Sequence, residues 1–138
     1  MAVSKSWCIE GTQELADAVL KDSATPEDKE IFLFSNDATI TKDTTDSDLT
    51  EITTNGGEKK DLTKATWSAA TAEDPVVSAY NGSDGITWDI TGDLTIYGYA
   101  VRGKTSGKIY VAENKGVNTL ANGNKYALKP FELKFDIV

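Results

Sequence analysis

Histidine is missing from this chain, and cysteine occurs once, at Cys8. Without imidazole there is no Ser-His-Asp or Cys-His nucleophile, and no zinc site of the kind that needs histidine. A lone cysteine excludes an internal disulfide and a thiolate metal cluster. A reactive Cys8 would need a cationic neighbour. Lys5 is close in sequence, but the residue reads first as a small buried apolar group. Long apolar runs are missing too: none approaches the roughly 18–20 residues that cross a bilayer. The opening MAVSKSWCIEG has no apolar core of a signal peptide, so synthesis in a reducing cytoplasm is expected, and Asn81-Gly82-Ser83 reads as a turn. Positive charge is scarce, with 14 Lys and Arg against 22 Asp and Glu and a net charge of −8. Phosphate binding needs a basic face, so neither nucleic acid nor an anionic membrane is expected as a partner. No glycine-rich loop opens a helix and no serine elbow is present, so no cofactor is expected.

What is there points to β structure. With 138 residues the chain fits one domain, and a hydrophobic fraction of 39% with frequent threonine suits a small β fold better than a helical bundle. The clearest signal is Leu94–Arg102 followed by Gly103-Lys104-Thr105-Ser106-Gly107 and Lys108–Glu113. Period-2 patterning closed by a Gly/Ser turn is the mark of an antiparallel hairpin. It places Thr95, Tyr97, Tyr99 and Val101 on one face and Leu94, Ile96, Gly98 and Ala100 on the other. Both faces carry apolar groups. Either the hairpin lies at the centre of a sandwich, or its outer face meets another subunit.

Elsewhere, Glu30–Ser35 reads as a buried central strand, and Leu49–Thr54, Thr63–Ala70, Val76–Tyr80 and Ile86–Ile90 as further strands. Lys125–Val138 reads as a last strand in which Phe131, Leu133, Phe135 and Ile137 alternate with polar residues. Pro130 suits an edge or bulge there. Thr12 is placed to cap a helix over Gln13–Lys21 whose apolar stripe is Leu15, Ala16, Val19 and Leu20. The expected architecture is mainly β, an antiparallel β-sandwich of jelly-roll type with one short N-terminal helix. Residues 1–10 read as an N-terminal arm and residues 11–138 as the single sandwich domain. Trp7 in that arm either folds back on its own domain or grips a neighbour.

Candidate chemistry is thin. Asp43, Asp46, Asp48 and Glu51 form the densest acidic cluster. Its spacing is not that of an EF-hand and it lacks the central glycine, so a solvated loop is the first reading and calcium the second. Asp84, Asp89 and Asp93 flank turns around Trp88, but an acidic β protein offers such pairs freely, and a glycosidase needs two carboxyls at a set distance. Lys59-Lys60 and Lys115 read as solvated. Tyr97, Tyr99, Tyr110 and Tyr126 suit either core packing or a subunit interface.

Three blocks resemble small virion proteins of tailed bacteriophages, especially those of cyanophages and other aquatic phages. They are Glu30–Asp37 with its Thr/Asp loop and Asp48-Leu49-Thr50-Glu51; Ile96-Tyr97-Gly98-Tyr99 through Ser106-Gly107 to Tyr110-Val111-Ala112-Glu113; and Leu120–Phe135. The likeness spans about Thr12 to Phe135. The group often carries an aromatic "GY" block where this chain has Glu58-Lys59-Lys60-Asp61, so a partner contact there differs. The resemblance implies a non-enzymatic particle component. It further implies a capsid decoration (cement) protein on the virion exterior that trimerises and clamps adjacent major capsid protein subunits. Under that implication Val3, Trp7 and Ile9 contact the shell, and Tyr97 and Tyr99 lie between subunits of the homotrimer. A tail, baseplate or fibre-adaptor component is the alternative within the same group. A carbohydrate-binding module using Trp67 and Trp88 is the alternative from another class.

Overall fold

Lys29–Phe34 (β2) contains four consecutive large apolar residues, and such a run is stable as a strand only if both of its faces are covered. In the computed structural model both are. Ile31 and Leu33 enter one apolar cluster, Phe32 and Phe34 a second on the opposite face. Residues 4–20, 27–63, 66–68, 71 and 76–135 are described. Among them the order is β1 (Ser4–Trp7), α1 (Ile9–Leu20), β2, β3 (Lys60–Leu62), β4 (Val76–Tyr80), β5 (Ile86–Asp89), β6 (Leu94–Gly103), β7 (Ile109–Leu120), β8 (Lys125–Leu128) and β9 (Phe131–Phe135). The described residues are mainly β and antiparallel, with one α-helix, α1, near the start of the chain.

Five strands pair in the order β1-β7-β6-β2-β3, while β4-β9 and β5-β8 form two separate ribbons. The larger cluster joins the sheet to both ribbons, through Ile31, Leu33, Tyr99 and Val101 on one side and Trp88, Tyr126, Leu128, Phe131 and Leu133 on the other. A layer of sheet facing a layer of ribbons is the arrangement a sandwich interior requires. The final strand expected over Lys125–Val138 is two strands, because Pro130 removes a ladder donor and the chain changes partner there, from β5 to β4. Ile137 lies outside the described residues.

The segment expected to be an arm is not separate from the domain over its described part. Ser4–Trp7 is the edge strand of the sheet, paired residue by residue with Asn114 to Val111 of β7. The helix follows at once, starting at Ile9, four residues earlier than the Thr12 cap predicts. Its opening amides are already satisfied, Cys8 N donating to the Tyr110 carbonyl (2.8 Å) and Ile9 N to that of Lys42 (2.9 Å). Gly11 makes this possible: a β-carbon there would lie 2.5 Å from both the Ile109 carbonyl oxygen and Tyr110 Cα. The helix therefore rests directly on β7 backbone. Leu15 packs against the larger cluster, whereas Ala16 and Leu20, expected on the same stripe, are exposed.

The loop after β2, expected to be solvated, covers the second face of the sheet. Ile40, Thr44 and Leu49 are buried in it, with Ile40 and Leu49 packed among Phe32, Phe34, Ala100 and Ala112. Polar side chains fasten it. Ile40 N donates to Ser4 Oγ (2.9 Å), and buried Asn114 Nδ2 donates to Asp37 Oδ1 (2.9 Å) and the Ala38 carbonyl (2.8 Å). The strand expected over Leu49–Thr54 reduces to one bridge between Glu51 and Phe34. That expected over Thr63–Ala70, part of which lies outside the described residues, reduces to a bridge between Trp67 and Tyr80.

Candidate docking surfaces

The alternation of β6 breaks between Ile96 and Gly98, where the pairing with β7 skips from Asn118 to Asn114. A bulge of this kind turns the residues beyond it over. Gly98 is needed at the break, since a β-carbon there would lie 1.8 Å from the Glu113 carbonyl oxygen. As a result Tyr97 and Tyr99 do not share a face. Tyr97 is half-buried against the second cluster, while Tyr99 is 2% exposed inside the first. Its hydroxyl donates to Glu113 Oε1 (2.9 Å), and its ring stands edge-on to Phe131 with centroids 5.3 Å apart. Burial, followed by the charge and hydrogen bond of Glu113, pushes the phenol pKa well up. Tyr99 is thus satisfied within one chain, which corrects its expected place between subunits.

Trp7 and Ile9, expected together on a shell, diverge. Trp7 is half-buried and donates from its indole nitrogen to the Lys134 carbonyl (3.1 Å). It lines an apolar cleft of about 290 Å³ with Leu15, Leu62, Trp67, Val101 and Leu133. Ile9 is 45% exposed. Val3 lies outside the described residues. Leu20 and Val117, neither chosen as a contact from sequence, are more exposed still, at 81% and 63%. Trp88 is fully buried and donates to the Glu58 carbonyl (2.9 Å), so it offers no platform to a sugar. Trp67 is half-buried against Tyr80 and Phe131. Cys8 is buried, and burial together with nearby Glu10 holds its thiol up at about 11.

The acidic cluster has an employment that the sequence pattern did not show. Arg102, the only arginine in the chain, sits buried at the end of β6 with its guanidinium 4.4 Å over the Phe32 ring. It donates to Glu30 Oε2 from Nε (2.9 Å) and Nη2 (2.5 Å), and from Nη1 to Asp46 Oδ1 (2.8 Å) and Glu51 Oε1 (2.9 Å). Burial works against the charge, but the hydrogen bonds to Glu51, Asp46 and Glu30 outweigh it and push the arginine pKa up. Asp46 and Glu51 are therefore turned onto a cation of the chain itself. Among the described residues no three His, Cys, Asp or Glu side chains are grouped to hold a metal ion. A solitary arginine in a lysine-dependent chain was the available signal, because a planar fork is what binds several carboxylates at once.

A polar groove of about 270 Å³ runs between β1, β7 and the Lys129-Pro130 corner. Its rim carries Lys5, Lys115, Lys129 and Lys134, with Glu113 and Glu132 among them. Sequence reasoning left Lys115 solvated and did not bring these lysines together, since they come from three distant parts of the chain. No known protein family and no curated protein sequence matches this chain.

Proposed function

We propose that the chain is a non-enzymatic structural component of a tailed-phage particle, a decoration protein that docks on the major capsid protein of the shell and trimerises there. One observation carries the reading. The three blocks that resemble phage virion proteins are adjacent in space: the first supplies β2 and the loop over it, the second β6 and the start of β7 beside β2, the third the β8–β9 segment facing them across the core. The blocks that carry the resemblance form one continuous scaffold with its covering loop, which supports the reading. The layered sheet and ribbons support the sandwich architecture such a scaffold needs. With Tyr99 buried, the apolar contacts proposed for shell or neighbour are the exposed Ile9 and Val117, with Tyr97 secondary. Repetition on a closed shell makes modest contacts sufficient, because avidity multiplies them.

The test is co-sedimentation with shells assembled from the major capsid protein of the phage that encodes this chain. The unaltered protein is expected to pellet with shells to saturation, and Ile9→Asp with Val117→Asp to reduce occupancy while leaving the circular dichroism spectrum unchanged. Protein that stays in the supernatant at saturating shell concentration would overturn the reading. Binding to isolated tails alone would replace it with the tail alternative.

A further inference from the structure

In a chain with eight more acidic than basic residues, a lysine without a partner is unexpected, and here such lysines share one place. Lys42, Lys59, Lys104, Lys108 and Lys125 each pair with a carboxylate. Lys60 lies over the Trp88 ring, Lys29 over that of Tyr110, and Lys5 is 3.9 Å from Glu113. Lys115, Lys129 and Lys134 are the described lysines whose ammonium groups meet no carboxylate, carbonyl or ring, and all three line the groove beside β1. With Lys5 they set four positive charges against Glu113 and Glu132, a positive surface on an otherwise acidic molecule.

We propose that this groove docks an acidic peptide segment of a partner protein. Charge complementarity selects the sign. The two glutamates select the class: an extended peptide brings backbone N–H donors for Glu113 and Glu132 along with carboxylates for the lysines, whereas a phosphate chain brings acceptors only and meets both glutamates with repulsion. Lysine ammoniums are compact point charges on flexible stems, suited to singly charged carboxylates spaced along a chain. The proposal does not depend on the particle reading and names residues other than Ile9 and Val117.

The probe is fluorescein-labelled hexaglutamate, followed by anisotropy at low ionic strength and again at about 0.3 M salt, where exposed charge pairs are screened. Saturable, salt-sensitive binding is expected. Replacing the three lysines together (Lys115→Glu, Lys129→Glu, Lys134→Glu) should weaken it about tenfold or more, since several exposed pairs are lost at once. A control with the same net charge, built at paired lysines (Lys42→Glu, Lys104→Glu, Lys125→Glu), should change it less than about twofold. Should the triple groove variant fail to fold, Lys129→Glu alone, at an exposed corner, is compared with Lys125→Glu. Equal losses in groove and control variants, no saturable binding, or inorganic tripolyphosphate competing at lower concentration than unlabelled hexaglutamate would each overturn the proposal.

Discussion

Glu27 shows at the scale of one residue how a polar group holds distant chain together. The turn between β6 and β7 wraps its carboxylate: Thr105 N (3.1 Å), Ser106 N (2.9 Å), Ser106 Oγ (2.7 Å) and Tyr110 Oη (2.8 Å) all donate to it. Burial alone would raise its pKa, but the hydrogen bonds from Ser106, Tyr110 and Thr105 outweigh that and hold it below the usual 4.5. A carboxyl with a depressed folded pKa stabilises the fold above its unfolded value and loses that contribution as pH falls through the folded value. Glu27→Gln is therefore expected to lower the melting temperature at neutral pH and to flatten its fall below about pH 4.5, as thermal melts across that range will show. A variant whose melting curve tracks the unaltered protein at every pH would remove Glu27 from this role.

At the scale of elements, the loop between β2 and β3 and the strands beneath it depend on Arg102. Removing one partner of a buried ion cluster leaves the others uncompensated, so Arg102→Leu should cost about 3 kcal/mol in urea unfolding. Asp46→Asn, which removes a half-exposed partner, should cost less than about 1 kcal/mol. Equal costs would mean that the cluster is not buried. The same elements show what could be read beforehand. The β6–β7 hairpin and β2 were legible because alternation and apolar runs report burial directly. The irregularity between Ile96 and Gly98 was not, since the two extra residues on β7 leave the composition unchanged and only Gly98 and the positive-φ Gly116 mark it. Nor was the covering role of the loop, whose buried Ile40 and Leu49 are diluted by threonine and aspartate. Lys60–Leu62 pairs at a sheet edge, where a polar sequence is tolerated, and so carries no strand pattern. The helix start at Ile9 was not legible, because Thr12 offers a local cap while the contact of Gly11 with β7, which allows the earlier start, is long-range. Arg102 and its carboxylates lie 51 to 72 positions apart, beyond any local rule.

At the scale of the molecule, both faces of the central sheet are closed by the chain itself, one by the ribbons and one by the loop over Phe32 and Phe34. The partner contacts proposed above therefore fall at the periphery, on Ile9, Val117 and the lysine groove. Hydrogen exchange of the isolated protein, compared at high and at submicromolar concentration, tests this closure most directly. Slow exchange in β2, β6 and β7 that does not change on dilution, together with protected Ile40 and Ile52 amides, is the predicted result. Protection of those strands that disappears on dilution would show that a second subunit closes the sheet, and would contradict the account.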